Sequence, residues 1–168
     1  VGGQPHGWRG ELTEGVTRTP GAGAQAMDGP WIHGSKAEPV SPSGVPALGY
    51  KKIPRALTVT EIEQMAVSCA AAARNVKEAG FDLIEAHAHY GYLIAQFLSA
   101  YFNRRTDKYG GSLENRLRFL MEIFAAMREA TGPDFPIVVK YSIDEYIQGG
   151  RNIAESQVIA SKLEEVGV

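Results

Sequence analysis

Residues 81–116 read FDLIEAHAHYGYLIAQFLSAYFNRRTDKYGGSLENR, and this stretch decides the fold. It opens with a short apolar run, Phe81–Ala86, which predicts a buried strand. Residues 88–111 then predict a long polar connection with one helical turn inside it. Ser112 is placed to cap a helix over about 113–130. A short, continuously apolar strand next to a helix is typical of a parallel sheet covered by helices.

Capped helices flank this stretch on both sides. Upstream, Thr58 and Glu61 have the spacing of a capping box, which predicts a helix over 59–79. Downstream, a second apolar strand at 136–141 precedes a helix over about 153–166, where Asn152 and Glu155 repeat the cap spacing. The order helix, strand, helix, strand, helix predicts an α/β fold with a parallel sheet, either an open doubly wound sheet or a (β/α)8 barrel. The predicted inward faces of the three helices are Ile62, Met65, Cys69, Ala73 and Val76; Leu113, Leu117, Leu120, Phe124 and Met127; and Val158, Ile159, Leu163 and Val166.

Length and composition limit the classes of protein that remain. A whole (β/α)8 barrel needs about 250 residues, so a chain of 168 residues would be a fragment holding about half of one. The net charge of −2 gives no indication of a nucleic-acid or membrane partner. The single cysteine fits a reducing, cytoplasmic setting. Residues 1–38 show no sustained period and are predicted to be loop-rich or disordered, with no domain assigned.

Polar side chains gather where the two predicted strands end. His87 comes directly after the first strand, His89, Tyr90 and Tyr92 follow it, and Lys140 lies near the end of the second strand. In parallel α/β proteins, ligands contact the carboxyl ends of the strands. Histidine and tyrosine donate hydrogen bonds to a substrate oxygen, and tyrosine also delivers a proton. The arrangement predicts a site that polarises a carbonyl group and protonates carbon or oxygen.

Three motifs in this stretch carry a family resemblance: EAHAHYGYL at 85–93, QFLS at 96–99 and NRRTDKYGGSLENR at 103–116. Together they resemble the Old Yellow Enzyme family of FMN-dependent ene-reductases, in its enoate and 2,4-dienoyl-CoA reductase branch. The resemblance extends over residues 39–168. It implies part of a TIM barrel with FMN at the carboxyl rim. In this family NAD(P)H reduces the flavin, whose N5 gives hydride to the β-carbon of an activated alkene. A 4Fe-4S cluster and FAD are implied only for a longer protein.

The resemblance also implies roles for four side chains. His87 would hydrogen-bond the oxygen of the substrate's activating group, and Tyr92 would protonate the α-carbon. Lys140 falls where many members carry an arginine beside flavin N1 and O2, and a cation there stabilises the anionic reduced ring. The family's second carbonyl-binding position is histidine or asparagine, whereas this chain has Tyr90, with His89 one residue away. The substrate range is therefore predicted to differ. The expected partner is a small-molecule activated alkene, and homo-oligomerisation stays open.

Two other interpretations are open on the sequence alone. The pair His87 and His89 at a strand end could bind metal in a barrel hydrolase, which would need further histidines and an aspartate at other strand ends. The isolated chain could also be catalytically inert, because the family's FMN phosphate site lies outside it. The remaining polar residues of the stretch are predicted to be scaffold, and two loop carboxylates to be solvated. The scaffold ion pairs involve Arg105, Asp107, Glu114 and Arg116, and the loop carboxylates are Asp144 and Glu145.

Overall fold

A computed structural model describes residues 39–47, 53–89 and 91–168 of the chain. The unassigned segment 1–38 and the candidate residue Tyr90 therefore lie outside the described residues. The long helices and the two long strands follow one another in the predicted order, helix, strand, helix, strand, helix. In chain order the elements are β1 (Val40–Ser41), β2 (Arg55–Ala56), α1 (Val59–Glu78), β3 (Ile84–Ala88), α2 (Leu93–Leu98), α3 (Leu113–Thr131), β4 (Ile137–Tyr141) and α4 (Ile153–Glu165).

The strands form two parallel pairs, which confirms the predicted parallel sheet. β3 pairs with β4 from Ile84 opposite Ile137 to Ala88 opposite Tyr141. The small pair of β1 with β2 was not predicted. Residues 39–58 contain several prolines. Because proline has no backbone N–H to donate to a neighbouring strand, such a segment predicts an extended connection and not a strand.

The first long strand begins three residues later than the sequence predicted. The predicted bounds were Phe81–Ala86, whereas the strand covers Ile84–Ala88. Gly80 adopts φ 82° and ends α1, and the Phe81 N–H donates to the Val76 carbonyl at 3.3 Å. Residues 81–83 therefore complete the helix end, which leaves Phe81 39% exposed. As a consequence, His87 lies inside the strand instead of directly after it.

The core lies between the β3–β4 sheet and the helices. Ile84, Ala86 and Ala88 are buried and alternate with less buried neighbours, so they share the face that packs on the helices. In α1, the predicted inward residues Ile62 and Met65 are at most 2% exposed. Side chains of this size each stabilise the fold by about 1.5–3 kcal/mol when fully buried. The helices thus cover one face of the sheet and leave the other face available for a site.

Cys69 belongs to this packing, as the sequence predicted. It is partly buried against the core, and burial raises the pKa of its thiol to about 12. The thiolate is the reactive form of cysteine, so this group is protonated and inert near neutral pH.

The three predicted helix caps are confirmed. Thr58 and Glu61 form a capping box, Ser112 accepts a hydrogen bond from the Asn115 N–H, and Asn152 accepts one from the Glu155 N–H. One predicted inward residue of α4 is wrong: Val158 is 47% exposed. Ile159 and Leu163 are buried as predicted, and the face they share also contains Ser156.

The long connection is held by buried polar side chains. The local ion pairs predicted among Arg105, Asp107, Glu114 and Arg116 are confirmed in part, since Arg105 pairs with Asp107 at 2.6 Å. The prediction of a local pair is wrong for Arg116, which is 4% exposed and pairs with Glu155 at the start of α4. Arg116 also donates to the Leu98 carbonyl at the end of α2. This one guanidinium therefore fastens α3 to both α2 and α4.

Candidate active site

Pairing of β3 with β4 places two of the candidate residues opposite each other. His87 is the register partner of Lys140. Register partners on adjacent strands project to the same face of a sheet, and here it is the face opposite the helices, because Ala86 and Ala88 occupy the other one. His87 is partly buried and Lys140 is exposed. An imidazole and an ammonium group are thus placed side by side on the open face.

Tyr92 joins His87 through the turn that follows β3. Gly91 adopts φ 70°, a backbone conformation that side chains disfavour, and the Tyr92 N–H donates to the His89 carbonyl at 3.2 Å. The rings of His87 and Tyr92 then meet edge to face, with 4.8 Å between centroids. Tyr92 is also the N-cap residue of α2, in which every residue from Leu93 to Leu98 is buried. The phenol of Tyr92 therefore projects from the start of a helix, α2, that is fully packed into the core.

His89 lies at the same rim. Its ring centroid is 5.9 Å from that of His87, and its Nδ1 forms a 2.7 Å hydrogen bond with the Ser142 hydroxyl, just after β4. Burial lowers the pKa of His89, and the positive charges of Lys140 and Arg151 lower it further. The imidazole of His89 is therefore neutral at neutral pH. Its hydrogen bond with Ser142 connects the end of β3 to the end of β4.

The structure thus brings His87, His89, Tyr92 and Lys140 to one edge of the sheet. Tyr90 lies outside the described residues, and its proposed contact with the substrate stays a prediction. Within residues 39–47, 53–89 and 91–168, no group of three His, Cys, Asp or Glu side chains is arranged to hold a metal ion. The pair His87 and His89 therefore has no further ligands in the described part of the chain.

The sequence analysis assigned no role to Arg151 and predicted the wrong environment for Glu145. Glu145 was expected to be solvated, but its Oε2 accepts from the Ser99 hydroxyl at 2.7 Å and from the Arg151 N–H at 2.8 Å. It therefore fastens the loop after β4 to the end of α2. Arg151 is 1% exposed, and its guanidinium carbon lies 5.6 Å from the centre of the Tyr141 ring. A GGR tripeptide in a loop carries no signal that this arginine is buried.

This set of groups is chemically compatible with a reduced flavin and a carbonyl-bearing substrate. Two imidazoles and a phenol offer hydrogen-bond donors on one rim. Lys140 supplies a positive charge beside them, and a cation near flavin N1 stabilises the anionic reduced ring. Lysine provides the charge without the planar fork of arginine.

Comparisons with known proteins identify what the chain resembles. The NADH:flavin oxidoreductase / NADH oxidase family matches residues 20–168. NADH oxidase from Thermoanaerobacter brockii is 48% identical over 131 residues, which are 78% of this chain and 20% of that protein. A 2-naphthoyl-CoA reductase in complex with 2-naphthoyl-CoA superimposes with a TM-score of 0.72 at 41% identity, covering 77% of this chain and 20% of that one. Morphinone reductase in complex with tetrahydroNAD gives a TM-score of 0.70 at 33% identity, covering 79% and 41%. The chain therefore spans between a fifth and about two fifths of these proteins.

Proposed function

The chain belongs to the NADH:flavin oxidoreductase / NADH oxidase family, the family of Old Yellow Enzyme, and from this premise we propose that it carries the substrate-activating part of an FMN-dependent ene-reductase. Its α/β fold is part of the (β/α)8 barrel of that family. When bound, FMN supplies the hydride chemistry, taking hydride from NADH or NADPH and passing it from N5 to the β-carbon of an activated alkene. The residues of this chain orient the alkene and move the proton.

The edge-to-face contact of His87 with Tyr92 is the observation that carries this proposal. A hydrogen-bond donor and a proton donor must act on two nearby atoms of one substrate, since the activating oxygen and the α-carbon are two bonds apart. The 4.8 Å between the two ring centroids is compatible with that separation. His87 donates to the oxygen and so withdraws electron density from the double bond. Tyr92 gives its phenolic proton to the α-carbon as the β-carbon accepts hydride.

Lys140 completes the proposed arrangement from the neighbouring strand. As the register partner of His87, it places a positive charge on the same face of the sheet. Its role is to hold the N1 and O2 side of the flavin and to favour the anionic reduced ring. Tyr90 is proposed as a further group in contact with the substrate. The substrate itself is an alkene conjugated to a carbonyl or a similar electron-withdrawing group, and the related 2-naphthoyl-CoA complex makes an acyl thioester a reasonable first choice.

The two half-reactions of the flavin-loaded protein test these roles separately. Tyr92→Phe removes the phenolic proton and should slow alkene reduction by about 100-fold or more, the usual contribution of a general acid. Reduction of the flavin by NADH or NADPH should persist, because that step does not use the proton. His87→Ala should raise the KM for the alkene by about tenfold, the loss of one hydrogen bond of about 1.5 kcal/mol.

Tyr101→Phe is the matched control for the first variant. Tyr101 is partly buried and its ring packs on Phe102, so the same hydroxyl is deleted at a tyrosine that is not one of the candidate site residues. Its kinetics should match the wild type. Equal loss of both half-reactions in Tyr92→Phe would overturn the proton-donor role. Absence of flavin from the purified protein, with bound zinc in its place, would favour the hydrolase interpretation.

A further inference from the structure

The side chain of Gln96 contacts the turn that carries the proposed proton donor. Gln96 lies inside α2 and is 5% exposed. Its Nε2 donates a hydrogen bond to the Gly91 carbonyl at 2.7 Å, a distance typical of a well-formed bond. Because a carbonyl oxygen only accepts, the amide atom that contacts it is the nitrogen, which determines the orientation of the amide. Gln96 therefore holds the peptide group that immediately precedes Tyr92.

The backbone of Gln96 holds the peptide group on the other side of Tyr92. The Gln96 N–H donates to the Tyr92 carbonyl at 2.9 Å, and the Tyr92 N–H donates to the His89 carbonyl at 3.2 Å. The side chain of Tyr92 makes no cap hydrogen bond at the start of α2, so the phenol does not hold the helix end. Because both flanking peptide groups are hydrogen-bonded, φ and ψ of Tyr92 are restrained, and so is the direction of its Cα–Cβ bond.

The oxygen of the same amide indicates that Gln96 does more than fill space. Within the part of the chain that the structure describes, Gln96 Oε1 is buried and has no hydrogen-bond partner. A buried acceptor without a partner costs free energy. Methionine has a similar length and volume and would fill the same space without that cost. The amide is therefore better suited to positioning Gly91 and Tyr92 than to stabilising the core.

We propose that Gln96 is a positioning residue for proton transfer, which aligns the phenol of Tyr92 with the α-carbon of the substrate through the Gly91–Tyr92 peptide group. This inference rests on the proposed function and extends it to a residue that acts only through Tyr92. The ring centroids of Tyr92 and His87 are 4.8 Å apart, so a small rotation of the turn changes where the phenolic proton is delivered. A misplacement of about 1 Å can slow a reaction by about 100-fold. Loss of the Gln96 bond should therefore slow proton transfer without changing how the substrate binds.

The test measures the oxidation of the reduced, flavin-loaded protein by 2-cyclohexen-1-one without oxygen. Gln96→Met removes the donor at similar length and should slow this step by about 10- to 100-fold, with the KM for the enone changed by less than about twofold. Gln96→Asn keeps an amide but is one carbon shorter, which moves the donor away from Gly91, and should be slowed similarly. Reduction of the flavin by NADH or NADPH should be unchanged, and the Tm should stay within about 4 °C of the wild type.

The double variant Tyr92→Phe with Gln96→Met decides whether Gln96 acts through the phenol. If it does, Gln96→Met should change the residual rate of Tyr92→Phe by less than about twofold, because no proton donor is left to position. If Gln96→Met slows Tyr92→Phe by the same factor as it slows the wild type, the inference is wrong and the proposed function stands. Gln157→Met is the matched control, because Gln157 is exposed on α4 and its replacement should leave every rate unchanged.

Other results would also contradict the inference. If Gln96→Met and Gln96→Asn both react like the wild type while Tyr92→Phe is slow, the turn is held without the amide and only this inference fails. If Gln96→Met slows both half-reactions equally, Gln96 supports the whole site and does not position the phenol. If Tyr92→Phe itself reacts at the wild-type rate, the proton-donor role in the proposed function fails and this inference fails with it.

Discussion

Substitution of Asn103 by alanine should destabilise the protein more than any exposed change, because this side chain closes the connection between α2 and α3. Asn103 is 3% exposed. Its Nδ2 donates to the carbonyls of Phe97 and Tyr109, both at 2.7 Å, and its Oδ1 accepts from the Arg105 N–H at 3.2 Å. Alanine removes all three hydrogen bonds and leaves three backbone groups without their partner.

The size of the effect follows from these three contacts. Each intramolecular hydrogen bond contributes about 0.5–1.5 kcal/mol net, and a buried group left unsatisfied costs more. Three contacts therefore predict a loss of about 3 kcal/mol in the free energy of unfolding. Asn103→Asp should be at least as damaging, since a carboxylate would face two carbonyl oxygens in a buried site.

Urea unfolding of the flavin-loaded protein, followed by circular dichroism, measures this loss as a shift of the midpoint at constant slope. Asn75→Ala is the matched control. Asn75 is exposed in the last turns of α1, so its replacement should change stability by no more than about 0.5 kcal/mol. A loss below about 1 kcal/mol for Asn103→Ala would refute the reasoning, because the connection would then be held without its amide.

Two further predictions concern the same scaffold. Gly110→Ala should lower the free energy of unfolding by about 2 kcal/mol or more, because a Cβ at this position would lie 2.2 Å from the Arg105 carbonyl oxygen; a thermal melt equal to that of the wild type would contradict it. Arg55→Ala should cost less than about 1 kcal/mol at neutral pH, as exposed ion pairs do. The Arg55 side chain is the main cause that lowers the pKa of Glu61 from 4.5 to about 2, so the stability that this pair contributes is present above pH 4.5 and lost as pH falls toward 2. The stability difference between wild type and Arg55→Ala should therefore shrink over that acid range, and a constant difference would reject the ion pair as its source.

Local patterns in the sequence were sufficient to predict the helices and to identify the polar residues at the rim. The caps at Thr58, Ser112 and Asn152 act on N–H groups three residues away, so short-range spacing determines them. The comparisons confirm the family that the motifs indicated, and the barrel with it. The roles of His87, Tyr92 and Lys140 stay predictions, although the structure brings the three residues to one edge of the sheet.

The errors have a common physical origin. The start of β3 was predicted at Phe81 because the apolar run does not show which of its first residues still belong to the end of the preceding helix. Val158 was placed inward because an apolar residue next to Ile159 fits a helical stripe almost as well as its neighbour does. The exposure of a side chain depends on which other segments pack against it. A periodic pattern of apolar residues carries no information about those segments.

The sequence by itself determined the order of elements, the helix boundaries to within a residue or two and the set of polar side chains at the strand ends. Only the tertiary structure decided which of these groups meet. The bonds of Arg116 with Glu155, Ser99 with Glu145 and His89 with Ser142 join residues 39, 46 and 53 positions apart. Such contacts depend on strand register and on the seating of helices against the sheet, since both bring together segments that are distant in the chain. Strand pairing and helix packing therefore bring the residues of the candidate site together, whereas the sequence shows only their positions along the chain.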